Sequence, residues 1–271
     1  ARARGQRIVY EADDDLLDSA GLIKRGYSGD TQALASRVTA LARQADAVTV
    51  STEGLKARFA RLNNHVHLVP NYLDDKLWRL GEASPSTKAR TGGITKIGYI
   101  GTPSHVADLA LISEAMADIK KTYGAMVEIE VIGGFQDVEP LFGTRIGLPK
   151  KNQYPDFVTW LYNVVDWDIG LIPLVEDDFN RAKSNLKFLE YSALGLASVV
   201  SDVPTYKDVV KHRHNALSVP NNRQAWKKAV TELIETPDLR ATLSQNARDL
   251  IRPEYGVRHH ADLYLKILEG P

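Results

Sequence analysis

Two short stretches of this chain carry residue types at spacings suited to holding a charged ligand. In residues 179–191, Lys183, Lys187 and Glu190 would share one face of a helix whose buried stripe is Leu186, Leu189, Ala193 and Leu196. Two lysines four residues apart repel each other by ~0.2–0.5 kcal/mol, the scale of an ordinary helix pair. A bound diphosphate would turn that repulsion into attraction, and Glu190, one turn further on, could accept from ribose hydroxyls. The other reading is a solvated face on which Lys187 pairs with Glu190, and the pattern admits both. In the second stretch, Gly98 to His105, Gly101 would let the backbone approach a ligand closely. Thr102 and Ser104 could donate to phosphate oxygens, with His105 as a third donor. A tight turn with an ordinary Ser or Thr cap explains the same residues, and a short glycine pattern taken alone favours that turn. The pattern is not GxGxxG, which speaks against a dinucleotide site.

A third candidate is acidic. Asp13 and Asp15 make a DxD pattern, and such carboxylates can hold Mn²⁺ or Mg²⁺ against a diphosphate. A nucleotide-binding region of several βα units would have to precede a motif of that kind, and only twelve residues stand before Asp13. An exposed acidic helix start is the plainer explanation. No metal-ligand set is expected: His65 and His67 lie two apart on a strand pattern with no carboxylate close by in sequence to complete a site. His212, His214, His259 and His260 read as surface residues. Trp160, Trp167 and Trp226 fall on helix or strand patterns and read as core.

The elements that must position these residues alternate through the chain. Short apolar runs at 7–10, 47–50 and 66–69 are separated by helix-period segments, with Ser51 or Thr52 as a cap. After a stretch of Gly, Ser, Thr, Pro and charge without periodicity, a second series begins. Strands are predicted at 96–100, 127–132, 168–174 and 197–200. Helices are predicted from Ser104 or His105 to about Tyr123, from near Pro155, over 184–194, and around Trp226, Leu243 and Leu263. Strands alternating with helices in this way specify a parallel sheet covered by helices on both faces.

Composition narrows the function classes. The chain has 271 residues, 44% hydrophobic and 25% charged, with 34 basic residues balancing 34 acidic ones. A balanced charge gives no basis for bulk nucleic-acid binding. The absence of cysteine excludes disulfides and thiolate metal sites and fits a reducing cytoplasm. No apolar run approaches the roughly 20 residues of a membrane span. Residues 1–4 lack an initiator Met and an apolar signal core, so the chain is expected to begin inside a longer protein.

Several segments, in order, resemble the family 4 GT-B glycosyltransferases. KSNLKFLEYSALGLASVVSD is similar to the family's lysine and glutamate stretch, and YKDVVKHRHNALSVPNNRQAWKKAV to the strand and helix that follow it. ADAVTVSTEGLKARF and VHLVPNYLD resemble the close of the family's N-terminal domain, and IGYIGTPSHVADL the donor loop of a subgroup. The resemblance runs from about Arg7 to Tyr264. It implies a GT-B type fold: a Rossmann-like donor domain at 96–252 and a partial second Rossmann-like domain at 1–80, the remnant of the acceptor side. A linker at 81–95 would join them, and a C-terminal helix within 253–271 would pack back toward the first domain.

The resemblance also implies roles. Glu190 would hold the donor ribose. Lys183, Ser184, Asn185 and Lys187 would lie near the diphosphate, with Gly101, Thr102, Ser104 and His105 facing them. Gly133, Gly134 and the loop 148–154 would flank the nucleoside, and Asp13 and Asp14 would face the cleft to bind acceptor hydroxyls or act as a base. Catalysis is expected from Asp13, Asp14 and Lys187. The implied activity is transfer of a sugar from a nucleotide-sugar donor to a glycan or lipid-linked acceptor, retaining and without metal or other cofactor. The expected setting is surface polysaccharide synthesis in the cytoplasm at the inner face of the membrane, any peripheral membrane contact coming through regions outside these residues. A nucleotide-sugar binding module without efficient catalysis and a nucleotide-sugar epimerase of the same architecture are the alternatives. Two departures stand out. The family often carries a glutamate eight positions before the one matched by Glu190, where this chain has Ala182. Many members also use an Arg and a Lys at the phosphate site, where this donor loop offers Thr102, Ser104 and His105, so Lys183 and Lys187 are expected to carry more of that role.

Overall fold

Ala47–Val50 is buried along its whole length, as expected of a strand with a neighbour on each side and helices over both faces. In the computed structural model, which describes residues 5–82, 93–133, 140–150 and 153–270, it is the middle strand β2 of a three-stranded parallel sheet. Its neighbours are β1 (Val9–Ala12) and β3 (Val66–Leu68), with Val9 opposite Ala47 and Val48 opposite Val66. The connecting helices are α1 (Ser19–Lys24), α2 (Thr31–Gln44) and α3 (Glu53–Phe59). Asp18, Asp30 and Thr52 cap them, each side chain accepting a first-turn N–H. Val38, Ala42, Val48, Val50, Leu55 and Phe59 form the core between sheet and helices.

The second sheet has six parallel strands: β4 (Thr95–Gly101), β5 (Val127–Gly133), β6 (Thr144–Ile146), β7 (Ile169–Ile172), β8 (Ala197–Ser201) and β9 (Leu217–Val219). Their order is β6-β5-β4-β7-β8-β9, so strand order reverses between β4 and β7. On one face pack α4 (Val106–Tyr123) and α7 (Arg223–Glu235), around Ile112, Met116 and Trp226. On the other lie α5 (Tyr154–Val164), α6 (Leu186–Ala193) and α8 (Pro237–Glu254), around Leu161, Phe188 and Ile251. Trp167 and Trp226 are buried as expected, and Trp160 is partly buried beside Phe157.

Residues 73–80, counted with the first unit by sequence, pack in the second sheet's core through Leu73, Trp78 and Leu80. Arg248 donates to the carbonyls of Arg79 (2.9 Å) and Ala193, and Arg252 to that of Leu80 (2.8 Å), so α8 holds this crossing. Of the expected linker, residues 83–92 lie outside the described residues. The last helix, α9 (Ala261–Glu269), packs Ile267 against Ala47 and Val69 of the first sheet, and Arg7 donates to the Ile267 carbonyl at 3.1 Å.

Some predicted boundaries move. The first strand spans 9–12 rather than 7–10, and α6 begins at Leu186 rather than Ser184. The short strands β6 and β9, three residues each, are additions to the sequence reading. Asp13 to Asp15 do not start a helix; they form the turn after β1, and α1 begins only at Ser19. No described helix is long and apolar enough to cross a membrane, and no group of three His, Cys, Asp or Glu among the described residues could hold a metal ion.

The end of β5 is fixed by close backbone approach. Gly133 has φ +70°, and a Cβ there would stand 2.0 Å from the Gly101 carbonyl oxygen on the neighbouring strand. Left-handed strain and the clash together make Gly133→Ala cost about 2–4 kcal/mol. Chemical denaturation of the two proteins measures this, and an unchanged midpoint would contradict the turn described.

Candidate functional site

In an open α/β sheet a ligand binds beyond the carboxyl ends of the strands, at the point where strand order reverses. Here that point lies beside the ends of β4 and β7, and a cleft of about 580 Å³ opens there. Gly101, Thr102 and His105 form one wall, between the end of β4 and the start of α4. Gly101 must lack a side chain, because a Cβ would meet the Tyr99 hydroxyl at 2.3 Å. Lys183, Ser184, Leu186, Lys187 and Glu190 form the opposite wall. Ile132, Gly133, Leu148, Pro149 and Phe157 make an apolar end with Arg145, and Asp13, Asp14 and Asn71 close the cleft from the first sheet.

The loop between β7 and α6 carries Lys183 and Ser184, and the first sheet's side of the molecule seats it. Arg25 contacts both carboxylate oxygens of Asp177 at 2.9 Å, its guanidinium 4.0 Å from the centre of the Phe179 ring. Burial pushes the Asp177 carboxyl up, but the Asn180 N–H and Arg25 outweigh it and hold it below the usual range. Arg58 donates to the Asp178 carbonyl at 2.9 Å. Thr52, while capping α3, donates to the Ala182 carbonyl at 2.8 Å. Asn71 donates to the Ser184 hydroxyl at 2.9 Å, and the Lys183 ammonium is 3.8 Å from Asp14.

These contacts correct the picture of one helical face. Lys183 is not on α6; it is an extended residue after a 3₁₀ turn at 180–182. Only Lys187 and Glu190 stand on the helix, and they do not pair with each other. The Lys187 ammonium donates to the Tyr99 hydroxyl at 3.2 Å and sits 4.4 Å from the centre of its ring. Burial pulls its pKa down to about 8, Lys183 adding to the effect while Asp108 and Glu190 oppose it. Glu190 accepts from the Tyr154 hydroxyl at 3.2 Å, and that hydroxyl accepts from the Trp78 indole N–H at 3.1 Å. Burial pushes Glu190 up to about 7, against Tyr154 and Lys187.

The other expected residues divide. Thr102 and Gly133 are on the wall. Ser104 is not: its hydroxyl bonds that of Thr102 at 2.7 Å. Asn185 is also off the wall, at the start of α6, where its side chain does not cap the helix. His105 lines the cleft, but its Nδ1 is 2.6 Å from Asp108 Oδ2, and burial, reinforced by Lys187 and Lys183, lowers its pKa to about 4 against the opposing pull of Asp108. At neutral pH it is an uncharged imidazole rather than a ready third cation. Asp13 and Asp14 face the cleft, and burial raises the Asp14 pKa with Lys183 opposing. Asp15 is turned away from Asp13: it is buried and ion-paired with Arg58, so the DxD pair does not assemble. Gly134 and residues 151–152 lie outside the described residues.

Ala182 is 2% exposed and belongs to the first sheet's core with Leu55 and Phe59. A carboxylate in this place would carry the cost of burial, which alanine avoids. Tyr154, within the loop expected beside the nucleoside, instead bonds Glu190, and sequence reasoning missed Asp108, Tyr99, Arg145, Phe157 and Asn71. Asp108 alone was within reach, standing three residues after His105 in a predicted helix start; the others arrive from distant segments that only the fold brings together.

The family model described as glycosyl transferases group 1 matches residues 186–250, from the start of α6 into α8. No curated protein sequence matches the chain. Among solved structures, sucrose-phosphate synthase from Thermosynechococcus elongatus superposes with a TM-score of 0.65 at 16% identity, over 99% of this chain and 70% of that one. HepE from Anabaena, in complex with UDP and glucose, gives 0.71 at 15% identity, over 100% of this chain and 73% of that one. TarM from S. aureus gives 0.64 at 13% identity, over 88% of this chain and 47% of that one. At such identities the structural likeness establishes the fold. The group 1 glycosyl transferase match lies on the helix that carries Lys187 and Glu190, within a chain of GT-B fold.

Proposed function

We propose that the cleft binds a nucleoside-diphosphate sugar and that the chain transfers the sugar to a hydroxyl of a glycan or lipid-linked acceptor. The observation that carries this is the convergence of Lys183, Lys187 and Glu190 in one cleft at the strand-order reversal. Lys183 and Lys187 meet the diphosphate together with the first-turn N–H groups of α4 and α6, Thr102 adds a hydroxyl, and Gly101 and Gly133 admit close backbone approach. Glu190 accepts from the ribose, and the apolar end with Phe157 and Leu148 receives the base. HepE is solved with UDP and with UDP-glucose, which makes UDP the first nucleotide to test.

In the reaction the acceptor hydroxyl attacks the anomeric carbon, and negative charge builds on the leaving diphosphate. Lysines already placed there favour that charge more than they favour the ground state. Asp13 and Asp14 take the acceptor side, and the raised affinity of Asp14 for a proton suits it to accept one. Retention of configuration, operation without a metal, and work in surface polysaccharide synthesis at the cytoplasmic face of a membrane complete the proposal; these parts rest on the resemblance of the sequence. A second reading, donor binding without efficient transfer, is favoured by Ala182, since no carboxylate stands at that position. Turnover of the bound donor separates the two.

Calorimetric titration with UDP, GDP, dTDP and ADP, without and then with Mg²⁺, tests the donor site. One diphosphate is expected to bind without metal, and Lys187→Met to weaken it by roughly 1.5–3 kcal/mol, about tenfold or more. Binding that needs Mg²⁺ and is lost in Asp13→Ala, or affinity untouched by Lys187→Met, would overturn the assignment.

The acid on α6 gives a second test, on the empty protein. The Glu190 pKa is raised on folding from 4.5 to about 7, so its contribution is fully present below pH 4.5 and lost as pH climbs through 7. A tenfold change in proton affinity is worth about 1.4 kcal/mol, and with allowance for partial exposure the loss at about pH 8 is ~1–2 kcal/mol. Glu190→Gln is therefore expected to gain stability relative to the parent between about pH 5 and about pH 8. Parallel stability curves for the two proteins across that range would show that Glu190 is not held in a charge-poor site.

A further inference from the structure

Near the phosphate-facing wall one arrangement has no part in the scheme above. His105 is clamped by Asp108, which is 3% exposed, and Asp108 Oδ1 accepts from the Val175 N–H at 2.6 Å. Both carboxylate oxygens are therefore engaged, one by the start of α4 and one by the loop that leaves β7. A carboxylate can only accept, so the ring proton of the neutral imidazole resides on Nδ1. That leaves Nε2, without a proton, as the ring nitrogen open to a ligand. A bare Nε2 and a phosphate oxygen are both acceptors and repel.

We infer that His105 is a proton-gated phosphate contact: uncharged in the empty cleft, it takes a proton from solvent onto Nε2 when a diphosphate binds and becomes the third cation beside Lys183 and Lys187. This rests on the reading of the cleft as a nucleoside-diphosphate site. The proton balance is simple: Nδ1–H stays on Asp108, Nε2 gains one proton, and the bound complex carries one more proton than its separated parts. Charges on every side of the ring decide the outcome. Lys187 on α6 and Lys183 before it oppose a cation while the cleft is empty, and Asp108 on α4 favours one. A diphosphate neutralises the first two and leaves the third. It also arrives beside the buried carboxylate of Asp108, whose repulsion an imidazolium between them cancels. The hydroxyls of Tyr99 on β4 and Tyr206 after β8 also sense Asp108, but burial raises both so that they stay protonated. Lys187, at about 8, is already charged near pH 6.5, so protonation of His105 is what the lysines cannot supply.

Titrating the chain with UDP, and with GDP in parallel, near pH 6.5 in buffers of different ionisation enthalpy reads protons taken up per ligand bound. His105→Gln is expected to take up about half a proton or more less than the parent and to bind more weakly, the deficit growing as pH falls. Glu190 contributes equally to both proteins, so the difference isolates the ring. Asp108→Asn, which keeps an acceptor for the Val175 N–H but removes the charge, should show the same deficit with His105 still present. In proton NMR, the histidine signal missing from His105→Gln should titrate near pH 4 in the free protein and well above it with UDP bound. Equal proton uptake by parent and His105→Gln would overturn the inference while leaving the donor site standing. Failure of the parent to bind either diphosphate would overturn the donor-site reading, and this inference with it.

Discussion

The site depends on how the loop between β7 and α6 is seated against the first sheet. The two sheets keep separate cores, and the residues that face the cleft come from both. What registers one against the other is the two-pronged contact of Arg25 with Asp177, a charge-assisted pair whose arginine side chain is only 12% exposed. Asp177 also accepts from the Asn180 N–H, so the same carboxylate that anchors the loop shapes the turn leading to Lys183. Thr52 and Arg58 fix the carbonyls on either side, and the burial of Ala182 among Leu55 and Phe59 completes the seat. Only with the loop in this place does Lys183 come within 3.8 Å of Asp14.

Burial shifts the ionisable groups that line the cleft. Lys187 is lowered, Glu190 and Asp14 are raised, and His105 is lowered, with burial the leading cause in each case. Groups held this way are stabilised less by their surroundings than they would be in water, a cost that folding carries before any ligand arrives. The compensation lies in fixed geometry: Lys187 is set by the Tyr99 ring and hydroxyl, Glu190 by Tyr154, His105 by Asp108. A diphosphate entering such a site meets positive charge that needs no reorganisation to receive it.

How much of this the sequence reveals depends on the range of the interactions concerned. Alternating apolar runs and helix periods are local signals, and they place every long strand and helix and the parallel class of both sheets. The three-residue strands β6 and β9 carry too few residues to show a period. Lys183 is misplaced for a similar reason. Its spacing from Lys187 fits a helix, but Asn180 to Ala182 form a 3₁₀ turn whose seat is set by contacts more than a hundred residues away in sequence. Gly101, Lys187 and Glu190 stand out in sequence as residue types suited to a charged ligand, although ordinary structural readings fit them too, and the fold sets all three on one cleft. Tyr99 and Asn71 do not stand out, because a buried tyrosine or a loop asparagine looks the same in sequence whether it packs or positions a charge. Asp15 shows that a motif intact in sequence need not assemble in space: its carboxylate pairs with Arg58.

The division of contacts also says where the molecule is stiff. The chain crosses from the first sheet to the second through residues 73–80, and Trp78, 1% exposed, is sunk in the second sheet's core while Arg248 and Arg252 hold the carbonyls around it. The indole N–H of Trp78 then holds the Tyr154 hydroxyl that holds Glu190. The crossing is thus part of the donor side, fixed by burial of large side chains that water cannot replace. The loop seat is fixed mostly by polar and ionic contacts, for which water is a competent substitute at a small net cost per bond. If the two sheets part to admit a ligand, the seat yields before the crossing does. Glu190 and Lys187 then travel with the second sheet, and Asp13 and Asp14 move away from Lys183, so opening separates the acidic groups from the lysines while Lys187 and Glu190 keep their places on α6.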